Sequence, residues 1–155
     1  MIASMASARY LPVCIIGSDR AMPPGAHFIR PAKVRVIYGD TDAMGIVYHG
    51  NYLRWFEAGR TELFRALGIV YRDLEARGYY LPLTQSYCHY HAPARYDDVI
   101  VVETAIAEWG RASIRFNYII WDEGKTKRLV EGFTHHAFTN AGGRVVRAPG
   151  EITTL

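Results

Sequence analysis

Only one stretch of this chain carries apolar residues at helical spacing over several turns. Tyr52, Phe56, Gly59, Leu63 and Leu67 recur at intervals of three and four, and Trp55, Phe64 and Ala66 widen the stripe. Arg54, Glu57, Arg60, Thr61, Glu62 and Arg65 fall mostly outside it, and Gly68 follows as a stop signal. A shorter helical piece is predicted from Tyr71 to Arg77, closed by Gly78. From Tyr79 onward the apolar period changes to two. One long helix with so apolar a face needs a sheet to cover it. The pattern therefore predicts an α+β chain, a curved antiparallel sheet wrapped around one long helix.

The strands are expected at Lys33–Tyr38, Leu81–His91, Asp98–Trp109, Ser113–Trp121, Arg128–Thr139 and, last and shortest, Arg144–Arg147. Pro93 closes the second, and Gly110, Asp122-Glu123-Gly124-Lys125 and Asn140-Ala141-Gly142-Gly143 mark turns. After the helix they read as a consecutive antiparallel meander, with no alternation of strands and helices that would build a parallel sheet. Ile114, Phe116, Tyr118 and Ile120 share one strand face, yet Ile119 and Trp121 make the other apolar too. A sheet that wants both faces buried predicts a homo-oligomer. Gly59 costs about 1 kcal/mol of helix propensity against Ala, which predicts a close backbone approach over it.

With 155 residues the chain has room for one domain with a real core. That domain is expected over residues 32–150. Residues 1–31, with Met1, Met5, Met22 and Pro23-Pro24-Gly25, read as a poorly ordered extension in which Met22 is a candidate alternative start. The net charge of +3 and the scattering of Lys and Arg argue against nucleic-acid binding. Two cysteines, Cys14 and Cys88, make neither a disulfide framework nor a zinc spacing and fit a reducing cytoplasm. No apolar run is long enough for membrane insertion, and Leu11–Gly17 is too short and too weakly flanked for a secretion signal.

Between the first strand and the long helix lies Tyr38-Gly39-Asp40-Thr41-Asp42-Ala43-Met44-Gly45-Ile46-Val47-Tyr48-His49-Gly50-Asn51-Tyr52. Two carboxylates thus sit on a turn that opens a helix, where backbone N–H groups are free and the dipole is positive. Asp is also a common turn and capping residue, and Asp40 is assigned that structural role. Asn51 is read as the helix N-cap, its side chain satisfying an early N–H. His89 and His91 share a strand face and His135-His136 sits on another strand, but no further ligand spacing supports a metal site.

The same residues resemble the signature of the 4-hydroxybenzoyl-CoA thioesterase family of hotdog-fold acyl-CoA thioesterases: Asp-x-Asp-x-x-Gly-x-Val, an aromatic, His or Tyr, then Asn or Ser and Tyr. Ala92-Pro93-Ala94-Arg95-Tyr96-Asp97-Asp98 and Glu108-Trp109-Gly110-Arg111-Ala112-Ser113 match later family segments, and Arg60-Thr61-Glu62 is similar to the branch associated with the Tol-Pal system. The likeness runs from Lys33 to Pro149. It implies a hotdog fold of five or six strands around the helix, a homodimer or dimer-of-dimers tetramer with sites at the dimer interface, and hydrolysis of an acyl-CoA substrate. It implies no cofactor and no metal.

By the resemblance Asp42 is the catalytic carboxylate and His49 the residue whose backbone N–H meets the thioester oxygen. The helix start independently offers the His49 and Gly50 N–H groups as donors to an oxygen that becomes negative. Asp42 either attacks the carbonyl to give a mixed anhydride or orients and partly deprotonates water. Tyr48 and Tyr52 are candidates for lining the acyl pocket. Arg95, Arg111 and Lys127 are candidate contacts for the CoA phosphates, Arg111 foremost because the family's equivalent turn is basic, although Gly110 and Ala112 replace basic residues found there in the aryl branch. The rival readings are a hotdog hydroxyacyl-thioester dehydratase with His49 as base, and a non-catalytic acyl-CoA-binding or envelope scaffold protein. A phosphatase reading of Asp-x-Asp fails for want of parallel strands and later Lys and acidic motifs.

Overall fold

The computed structural model of the protein describes residues 27–153. The expected extension up to residue 26, with Cys14 and the candidate start Met22, lies outside the described residues. The elements run β1 (His27–Arg35), a 3-10 turn (Tyr38–Asp40), α1 (Asn51–Ala66), α2 (Tyr71–Ala76), β2 (Leu83–Tyr90), β3 (Val99–Trp109), β4 (Ser113–Asp122), β5 (Arg128–Ala137) and α3 (Gly150–Thr153). One five-stranded sheet has the order β1-β3-β4-β5-β2, and every pairing is antiparallel.

The sequence-based picture is corrected in three places. The first strand begins at His27 and ends at Arg35, so residues 27–31, expected in the extension, pair with β3 through partners such as Pro31 and Glu103. The chain after Arg35 bends instead of continuing to Tyr38, because the Asp40 carboxylate accepts the Ile37 N–H at 3.1 Å and closes a 3-10 turn. Second, β2 does not open the meander. It crosses to the far edge and pairs with β5, Tyr87 opposite Phe133. Third, the expected last strand is reduced to a single bridge, Thr139–Val145, and Asn140 draws the loop before it tight by accepting the Gly142 and Arg144 N–H groups at 3.0 Å each.

Helix α1 packs its predicted stripe on the concave face. Phe56 stacks on Tyr118 at 4.2 Å and Phe64 meets Phe116 edge-on at 5.3 Å. Ile114, Phe116, Tyr118 and Ile120 are all buried, as the alternation predicts. Each such side chain contributes about 1.5–3 kcal/mol on burial, which outweighs the weak helix propensity of an aromatic-rich segment. At Gly59 a Cβ would stand 2.3 Å from Thr104 Oγ1 and 2.9 Å from Val102 Cγ1, so the expected close approach is to β3. The helix ends where Gly68 takes a φ of +78°, letting the Ile69 N–H return to Phe64 O at 2.9 Å.

The middle of α1 carries a buried polar network. His136, 2 % exposed, faces Leu81 O through Nδ1 at 3.0 Å, which places the ring proton on Nδ1. Its Nε2 then accepts from Arg60 and from Thr134 Oγ1, each at 3.0 Å, and the Tyr118 hydroxyl closes on Thr134 at 2.7 Å. Burial, reinforced by the Arg60 charge, holds the imidazole down at about 4. On the convex face Ile119 and Val101 are buried without a partner chain. Arg128 lies over Trp121 and Arg115 over Phe133, with cation-to-centroid distances of 5.3 and 4.0 Å, so stacked cations cover that apolar surface. The edge strands of the sheet are β1 and β2.

Candidate active site

The turn before α1 is built around Asp40, which is buried as its structural assignment requires. Its carboxylate accepts from Ile37 N–H and, at 3.1 Å, from Arg54. Its carbonyl accepts the Tyr48 N–H at 2.9 Å and the Asn51 side-chain amide at 2.8 Å. Asn51 is therefore not the N-cap. Gly50 takes that position, in helical conformation and with no side-chain cap, while the Asn51 amide ties the helix start back to Asp40.

Asp42 heads a tight turn closed by Gly45 N–H to Asp42 O and Asp42 N–H to Ile46 O, both 2.9 Å. Gly45 adopts a φ of +71°, and the Asp42 carboxylate folds back so that Oδ1 accepts the Met44 N–H at 2.8 Å. Oδ2 has no protein donor among the described residues, and the residue is partly exposed. The carboxylate is thus oriented by one backbone bond and keeps one oxygen free for chemistry.

The helix start is fixed by its carbonyls. Tyr48 O accepts the Asn51 N–H at 2.9 Å, and His49 O accepts the Tyr52 N–H at 3.4 Å and the Tyr90 hydroxyl at 3.2 Å. In a trans peptide the N–H points opposite to its C=O. The His49 and Gly50 N–H groups therefore face away from the helix body, and among the described residues neither donates to a protein acceptor. Two adjacent open donors at the positive end of a 16-residue helix form a place for negative charge.

The aromatic candidates separate. Tyr48 is 49 % exposed and its ring lies against Gly50, 4.3 Å from the His49 imidazole. Tyr52, expected to line a pocket, is instead a core residue at 2 % exposure. Its hydroxyl accepts the Ala94 N–H at 3.1 Å, and burial pushes the phenol up from its ordinary value. Arg111 stands apart from the turn. It lines a groove of about 480 Å³ with Trp109, Gly110, Arg147, Ala148, Gly150 and Thr153, none of them in the Asp42 region.

Three contributors escaped the sequence. Arg54 holds Asp40, and its only signal was a position one turn into the helix after an acidic pair. Tyr90 reaches His49 from β2, and Arg147 joins Arg111, with nothing in the linear pattern to link either pair. Among the described residues no group of three or more His, Cys, Asp or Glu is placed to hold a metal ion, and no helix is long and apolar enough to cross a membrane.

Comparison with known proteins points the same way as the turn. The family described as the thioesterase-like superfamily matches residues 36–154. The acyl-CoA thioester hydrolase YbgC of Escherichia coli is 37 % identical over 83 residues, covering 54 % of this chain and 62 % of that protein. Among solved structures, TT1821 of Thermus thermophilus is 35 % identical with a TM-score of 0.76, covering 80 % of this chain and 94 % of that one. The DHNA-CoA thioesterase of Staphylococcus aureus is 28 % identical with a TM-score of 0.74, covering 77 % and 80 %.

Proposed function

The chain belongs to the thioesterase-like superfamily, a hotdog fold, and on that premise we propose that it is an acyl-CoA thioester hydrolase that converts R-CO-S-CoA and water into a free acid and CoA. The observation that carries this reading is the pair of unsatisfied N–H groups at His49 and Gly50, on the same short loop as an oriented carboxylate. A thioester carbonyl seated on those donors places its carbon where nucleophile and oxyanion stabilisation act together. The CoA-ester activities named for the relatives support the substrate class.

Asp42 supplies the carboxylate. Either Oδ2 adds to the thioester carbon, expels CoA thiolate and leaves a mixed anhydride that water opens, or it takes a proton from water that adds instead. In both, the oxygen that becomes negative is held by His49 and Gly50 N–H. Tyr48, exposed beside the donors, lines the acyl end. Arg111, joined by Arg147 in the groove of about 480 Å³, receives the CoA phosphates.

The working unit is a dimer of this chain or a pair of such dimers. This is supported by β2, an edge strand with an unpaired side, and by Leu83, Tyr87 and Tyr90 standing exposed on it. Ile37, Tyr38 and Met44, at 59, 79 and 73 % exposure, flank the Asp42 turn and await a covering surface. Cys88, a free thiol, suits a reducing cytoplasm.

The test is thiol release from a panel of short-chain, long-chain and aromatic CoA esters, repeated with Asp42→Ala. Loss of the carboxylate is expected to lower kcat by about 10²–10⁴-fold. An Asp42→Ala protein as active as its parent ends the assignment. CoA binding without turnover in the parent favours the non-catalytic reading, and enoyl formation without thiol release favours a dehydratase. Under single turnover in heavy-oxygen water, label in Asp42 marks direct attack and label only in the product acid marks attack by water.

A further inference from the structure

We infer that Tyr90 is a positioning residue for the oxyanion side of this site, because its hydroxyl holds the His49–Gly50 peptide and thereby aims the Gly50 N–H. The inference rests on the hydrolase reading above and adds a residue from a distant strand to it. The Tyr90 O–H donates to His49 O at 3.2 Å. That carbonyl shares its peptide plane with the Gly50 N–H, and the described chain contains no cis peptide, so fixing one group fixes the direction of the other. Among the described residues the only other bond to His49 O is the long one from Tyr52 N–H, at 3.4 Å. Gly50 has no side chain to limit rotation and no capping bond of its own. Without the phenol, among the described residues this carbonyl keeps only the Tyr52 bond.

The surroundings keep Tyr90 in place. Its ring meets Tyr52 at 5.5 Å and His49 at 6.5 Å, both edge-on. Burial, then Cys88, push the phenol up to about 12, so the hydroxyl remains a donor across the whole range in which a thioesterase is assayed. The neighbouring peptide shows why this tether is needed. Tyr48–His49 is held by a bond of 2.9 Å from Asn51 N–H within the first turn, and it uses no strand residue.

The experiment compares the full-length protein with Tyr90→Phe, which keeps the ring and deletes the donor. Losing one hydrogen bond of ordinary worth is expected to lower kcat about 2- to 12-fold, with KM changed less than about twofold. In protein labelled with ¹⁵N-glycine, the Gly50 amide resonance should shift or broaden while those of distant glycines stay. A loss confined to KM, or an unchanged kcat, overturns the inference and leaves Tyr90 as pocket lining. An unmoved Gly50 resonance overturns it as well. A parent that turns over no CoA ester instead defeats the hydrolase reading, so the two failures are read from separate measurements.

Discussion

The first turn of α1 and its middle are made of the same helix but treat polar groups in opposite ways. In the middle, Arg60, His136, Thr134 and Tyr118 form a chain in which donor meets acceptor at 2.7–3.0 Å under an aromatic lid. At the start, the carbonyls of Tyr48 and His49 are satisfied while the N–H groups of His49 and Gly50 are left open. The difference separates stability from function. A buried network with every partner present serves the fold, because a missing partner would cost the full desolvation of the group left behind. Donors left without protein partners at a helix start add no such bond to the fold, and in the function proposed above they receive the thioester oxygen.

Three changes sharpen or break that contrast. The largest effect is expected for Gly50→Pro. Gly50 has a φ of −66°, which the proline ring matches, and a Cβ there stands 2.8 Å from Tyr48 Cε1, so the substitution deletes one N–H and makes the half-exposed Tyr48 ring swing aside. A loss of about 10²–10³-fold in kcat at near-parental Tm is expected, the ordinary cost of one oxyanion donor. Full activity in this variant would show that the open N–H is not used.

The next effect belongs to the closed region. His136 is held down at about 4 from an ordinary value near 6.5, so the unfolded chain takes up a proton that the native one refuses between those values. Its contribution to stability is complete above about pH 6.5 and declines as the pH falls toward 4, by about 3 kcal/mol in all. Urea midpoints at pH 7 and pH 4.5 measure this, and His136→Gln should flatten the acid limb. A parent whose midpoint is unchanged by acid contradicts the buried neutral imidazole.

The smallest is Gly59→Ala. Helix propensity alone predicts a gain of about 1 kcal/mol. The contact with Thr104 Oγ1 at 2.3 Å predicts instead a net loss of about 1–3 kcal/mol, seen as a lower Tm, with kcat retained below that temperature. A higher Tm would mean that β3 gives way and that the approach is not a seat for the helix.

Much of this was legible in the chain. The stripe from Tyr52 to Leu63 and the alternation through Ile114, Phe116, Tyr118 and Ile120 are local periodicities, and local periodicity is what decides which side of a segment is buried. Gly59 also announced its contact, since a glycine in a strong helix has few other uses. Asn51 misled, because Asn is a favoured N-cap by composition, whereas here the carbonyl of Asp40 competes for its amide and wins. Tyr52 misled as well, its place beside the motif suggesting a lining role while the Ala94 N–H draws its hydroxyl into the core.

What the sequence by itself determined is the set of elements, the buried face of each, and the loop on which the acidic pair meets a helix start. These follow from steric and hydrophobic preferences acting within about one turn or one strand. The tertiary structure decided that β2 leaves the meander for the far edge, which brings Tyr90 to His49, and that Arg147 comes beside Arg111. Those pairings join residues through the curvature of a sheet around a helix, and no pattern confined to neighbouring residues encodes them.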